Sequence, residues 1–209
     1  MVFRTAIGLV VVLVTACGRS APAPKYATGP TPDEFSVYEL PEPCEPMLDR
    51  VNARGPQRLP AWVELARCVA NAAIAQLELD DSADSVALLE EMTGPSFVLL
   101  DHVTGKADVA TKISALRAKA DLYTQMGGLM LATVAQPTTS RAKAWRHYEA
   151  RRAKIEDMIE PWNERATATH RRIVALGEAH PELASNPEVR LAIRNSERQL
   201  SVPIATRED

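Results

Sequence analysis

From residue 60 onward, apolar residues recur every three or four positions, the period of a helix with one buried face. In "PAWVELARCVANAAIAQLEL", residues 60–79, Trp62, Leu65, Val69, Ala72, Ala73 and Leu79 line one stripe, and Pro60 occupies a first turn, where proline is tolerated. Asp80, Asp81 and Ser82 are N-cap candidates for a second helix, "ADSVALLEEM", which Gly94-Pro95 is expected to end. That leaves "SFVLLDHV" as a separate short apolar segment.

The next two elements carry heptad seams. In one, Val109, Ile113, Leu116, Ala120, Tyr123, Gly127, Met130 and Val134 alternate spacings of four and three. In the other, Trp145, Tyr148, Arg152, Ile155, Ile159, Trp162, Ala166, Thr169, Ile173 and Leu176 do the same. Only "AQPTTS" separates them, which forces an antiparallel hairpin of helices about 40 and 55 Å long, one of which projects past the bundle. Pro161 lies inside the longer helix, but the seam keeps its phase across it, so one kinked helix is expected and not two. A last helix starts with Asn186 as cap and Pro187 in its first turn, and "SVPIATRED" beyond it looks loose. No 34-residue helical repeat pattern recurs. The expected fold is all-α: a helical bundle with a long antiparallel heptad-patterned hairpin.

The N-terminal part reads differently. Arg4 precedes about ten apolar residues, too few for the roughly 20 that a spanning helix needs, which is the pattern of an export signal. As a plain signal it would be cut near Ala16 or Ala21. The run ends in Val14-Thr15-Ala16-Cys17, which resembles the lipobox of bacterial lipoproteins; the resemblance covers about the first 20 residues. It implies cleavage before Cys17, acylation of that residue and anchoring in a lipid bilayer of the cell envelope. Gly18 in place of aspartate points to the outer membrane more than the inner. Two or three acyl chains, at about 0.8 kcal/mol per buried methylene, are a firm anchor where one is marginal.

Residues 20–46 hold seven prolines, from Pro22 to Pro46, a density that excludes helix interiors and central strands. An extended tether is expected there, although "FSVYEL", residues 35–40, alternates apolar positions and is able to pack down. The division is then a signal peptide at 1–16, a lipidated cysteine and tether at 17–46, and a helical domain at 47–209. With Cys17 acylated in an oxidising compartment, Cys44 and Cys68 are left to pair as a disulfide.

Composition alters this picture little. A formal charge of −3 offers no general pull toward nucleic acid, which is excluded as a partner. The scarcity of aromatics, 5%, fits a chain dominated by strong helix formers.

Chemistry-bearing motifs are few. None of His102, His147, His170 and His180 has Asp, Glu, His or Cys three or four residues away, so no local metal motif exists. There is no nucleophile elbow, phosphate-cradling loop or haem attachment motif. No metal, cofactor or catalytic residue is expected, and an enzyme would need His and carboxylates to converge in a cleft.

Two stretches are candidates for partner binding. One is "RAKAWRHYEARRAK", residues 141–154, which includes Arg146, Arg151 and Arg152 and contrasts with the acidic stretch from Glu78 to Glu91. The other is "MGGLMLATVA", residues 126–135, where Met126 and Met130 suit either the core of the hairpin or an adaptable surface and the glycines permit close approach. Arg152 on a buried seam implies that the seam opens there or that an acid from another helix pairs with it. The functional expectation is a lipid-anchored adaptor or assembly accessory factor that binds another envelope protein. The alternative is a structural or surface lipoprotein that forms a homo-oligomer through its long hairpin.

Overall fold

A computed structural model describes residues 40–53 and 55–201. Among them are six α-helices and no strand: α1 (Leu48–Asn52), α2 (Arg58–Ile74), α3 (Ala83–Lys106), α4 (Val109–Ala132), α5 (Ala142–Ala179) and α6 (Pro187–Ser201). Short 3-10 turns at Glu42–Met47 and Pro181–Ser185 precede α1 and α6. The expected all-α bundle is the observed one, with α4 and α5 as its antiparallel hairpin. The signal segment, Cys17 and most of the tether lie outside the described residues.

Local chemistry sets the helix starts. Ser82 Oγ accepts the Ser85 N–H at 3.2 Å, and Asp80 accepts the Ser85 hydroxyl at 2.7 Å. Asp108 caps α4 by accepting the Thr111 N–H at 2.8 Å. Asn186 Oδ1 accepts the N–H groups of Glu188 and Val189, which makes it the cap expected ahead of Pro187.

Two expectations fail on physical grounds. Gly94-Pro95 does not end the second helix: α3 runs on to Lys106 and absorbs "SFVLLDHV". A proline inside a helix costs about 3 kcal/mol. Burying a large apolar side chain contributes about 1.5–3 kcal/mol, and Phe97, Leu99, Leu100 and Val103 beyond the proline are all buried. Packing therefore outweighs the breaker. The second failure is at the end of the proline-rich stretch, which is not extended to residue 46. Leu40 and Cys44 are buried against Val51, Trp62 and Leu65, so the folded body begins before residue 47.

Pro161 behaves as its phase suggests, within a continuous α5. Ile159, Trp162 and Ala166 around it are buried, and Trp162 Nε1 donates to Glu90 of α3 at 2.9 Å. The α5 seam is closed from Ile155 to Ile173 and open N-terminal to it, where Trp145 is 39% exposed and Arg152 is exposed. Helix α4 is the axis of the body and reaches three apolar clusters. Ala115 and Ala118 join the disulfide end, Tyr123, Met126 and Met130 the centre, and Ile113 and Leu116 the α6 end.

Candidate functional site

The sequence-derived candidates do not converge on one place. Met126 and Met130 are 1% and 0% exposed, with the Thr93 hydroxyl 3.5 Å from the Met126 sulfur, so they are core residues and not a contact surface. Arg146 is exposed on the first turns of α5. Arg151 pairs with Asp81 at the start of α3, which ties the projecting end of α5 to the body. Arg152 pairs within its own helix, donating to Glu156 at 2.9 Å and to the Tyr148 hydroxyl at 3.2 Å. The seam opens at Arg152, and no acid from another helix meets it among the described residues. Cys44 and Cys68 form the expected disulfide, with S–S 2.05 Å.

Two concavities lie beside α5. The larger, about 940 Å3, is a groove between α4 and α5. Its floor is Gly127, Gly128, Leu131 and Ile159, and its wall on α5 carries Glu156, Asp157, Glu160 and Glu164, with Arg171 at one end. The groove exists because α4 presents glycines there. A Cβ on Gly127 would meet Ile159 Cδ1 at 3.5 Å, an ordinary contact, whereas one on Gly128 would meet nothing within 4 Å. Gly128 is thus a gap in the wall of side chains and not a point of close helix approach. The carboxylates line up because they follow one another at helical spacing on one continuous α5.

The second concavity, about 500 Å3, lies where α6 crosses α4 and α5. His170 and Ser196 meet at its base in a hydrogen bond of 3.0 Å between Nδ1 and Oγ, and both are buried. Asp121, Arg117 and Arg198 stand around them. Burial holds the His170 ring below its ordinary pKa, with Asp121 pulling the other way. This cleft does bring a histidine and a carboxylate together. However, Asp121 is engaged by Arg67 and Arg117, and Ser196 is only 1% exposed at the base of the cleft. The arrangement joins α5 to α6.

Sequence reading missed both concavities. The His170–Ser196 pair spans 26 positions and has no local signature. The groove was within reach: continuity of α5 through Pro161 puts Asp157, Glu160 and Glu164 on one outward stripe. No group of three or more His, Cys, Asp or Glu suited to a metal ion occurs among the described residues. None of the described helices is long and apolar enough to cross a membrane. No family model, curated protein or solved structure matches this chain.

Proposed function

We propose that the protein is a lipid-anchored lipoprotein of the bacterial envelope, held through Cys17, whose helical body is a non-catalytic adaptor that docks a helix of another protein. The observation that supports the docking role is the α4–α5 groove, with its glycine floor and carboxylate wall. A floor lowered by two glycines admits a helix closely, and a wall with four acids and one base selects a cationic one. The proline-rich stretch between Cys17 and Leu40 gives the body reach from the bilayer, about 3.1 Å per residue where extended.

Crosslinking in native membranes tests the reading, with three forms compared: wild type, Cys17→Ser and Gly128→Trp. A Trp side chain at 128 fills the groove from a position where a Cβ touches nothing, so the fold is expected to survive. Links from Glu160 or Glu164 to a protein partner that persist in wild type and vanish in Gly128→Trp support docking. Loss in Cys17→Ser supports the anchor. Links that are indifferent to Gly128→Trp refute the groove as the docking site.

A further inference from the structure

The outward face of α5 carries a second stripe, whose C-terminal half forms one wall of the α4–α5 groove. Lys143, Arg146, Ala150, Ala153, Asp157, Glu160, Glu164 and Thr167 follow one another at spacings of three and four, and each is at least partly exposed. The stripe reads the same from either end: residues 143 and 167, 146 and 164, 150 and 160, and 153 and 157 are all equidistant from position 155. Its charges change sign about that same point. The N-terminal half carries Lys143, Arg146 and the two alanines, and the C-terminal half carries Asp157, Glu160, Glu164 and Thr167.

Reversed on itself, such a helix brings each Arg146 to a Glu164 and sets each acid nearer the centre opposite an alanine. We propose that the α4–α5 groove is occupied by α5 of a second copy of this chain, antiparallel, with the twofold axis passing near Ile155. The proposal rests on the reading of the groove as a helix-docking site, and puts a second copy of this chain there in place of a different protein. In this register Arg146 of each copy meets Glu164 of the other about 13 Å from the axis on either side. Ala153 lies opposite Asp157 near the crossing point, where small side chains let the helices approach. Lys143 falls opposite Thr167, which lines the groove. The interface is isologous, so every contact occurs twice.

The charges required are at hand. Arg146 and Glu164 have no ion-pair partner among the described residues. The neighbouring Arg151 and Arg152, already engaged by Asp81 and Glu156, are held off the stripe. Exposed charges and alanines contribute little apolar area, so the dimer is modest in affinity and weakened by salt. Anchoring in one membrane raises the local concentration and favours it there.

The test uses full-length protein in detergent, followed by sedimentation equilibrium across concentration and salt, for wild type, Arg146→Glu, Glu164→Arg and the double variant. Circular dichroism checks that each keeps its helices. The expected wild-type result is a monomer–dimer equilibrium that shifts toward monomer as salt rises. Each single reversal places like charges together twice per dimer and is expected to raise the dissociation constant about tenfold or more. The double variant restores both contacts and with them the dimer, and an equimolar mixture of the two single variants forms the mixed dimer. A wild type that is monomeric throughout, or a double variant as dissociated as the singles, overturns the proposal. If wild type is monomeric but its groove still crosslinks in membranes to a different protein, blocked by Gly128→Trp, self-docking fails and the docking function stands. If neither dimer nor blocked crosslink is found, both fail.

Discussion

The two ends of the bundle are closed by different means. At one end the chain entering the body is stapled covalently: Cys44, fully buried in the turn before α1, is joined to Cys68 in the middle of α2, and Leu40, Val51, Trp62 and Leu65 pack around the bridge. At the other end α6 is held without a covalent link. It lies against α5 so closely that a Cβ on Gly177 would come within 2.5 Å of Ile193 Cδ1, and His170 and Ser196 hydrogen-bond beneath the contact. Only Val189 and Ala192 of α6 are buried apolar residues. The first end lies next to the stretch that leads toward Cys17 and is the one any tension on an anchor would reach first. The second depends on shape and on one uncharged hydrogen bond, so it should be the first to yield to packing defects and to acid.

The largest effect is expected at the stapled end. Reduction, or Cys44→Ala with Cys68→Ala, reopens a loop of 24 residues' separation and should cost roughly 3 kcal/mol of stability by loop-closure entropy. Chemical denaturation with and without reductant measures it. Hydrogen exchange should rise first over 40–52, whose buried residues Leu40, Cys44 and Val51 sit on the bridge. A loss below about 1 kcal/mol would mean that packing, not the disulfide, holds this end, and the contrast between the two ends would disappear.

At the other end, Gly177→Val should destabilise by about 2 kcal/mol, the range for forcing methyl groups into a packed contact. The effect should be local, with exchange rising over 187–201 before it rises in α2. Gly128→Ala is the control. It has open space around its Cβ and should stabilise by up to about 1 kcal/mol through helix propensity alone. Equal effects at the two glycines would show that α6 is not closely packed on α5.

These glycines also show what was legible in the sequence. The heptad seams of α4 and α5 were, because periodicity is a property of neighbours in the chain, and so were the Ser82 and Asn186 caps. Gly127 and Gly128 read as points of close approach. In the fold Gly128 faces open space and Gly177 is the point of contact. The difference depends on where Ile193 lies, which no local pattern near residue 177 contains. Gly94-Pro95 misled for a related reason, since the burial of Phe97 and Leu100 that carries α3 through it is a tertiary quantity. Met126 and Met130 read either as core or as an adaptable surface because a helix packed on several sides has no polar face to mark its inside, and their burial decides for the core.

The smallest effect is the response of the α6 end to pH. Burial holds the folded-state pKa of His170 below its ordinary value of 6.5, so between these two values the unfolded chain binds a proton that the folded one does not. Stability is then at its full value above about pH 6.5, falls as the pH drops through that window, and levels off once the folded ring also titrates. The charged groups facing the ring modify the size of the effect. Asp121 favours the protonated ring and narrows the window. Native-state exchange at pH 7.5, 6.5 and 5.5, corrected for the intrinsic rate, should show protection of α6 declining with acid while α2, beside its disulfide, stays constant. In His170→Gln, which keeps a hydrogen-bonding side chain but cannot titrate, the decline should vanish. If α2 and α6 lose protection in parallel, or if the glutamine variant keeps the decline, His170 is not the acid-sensitive link, and the α6 end is held by packing at Gly177 alone.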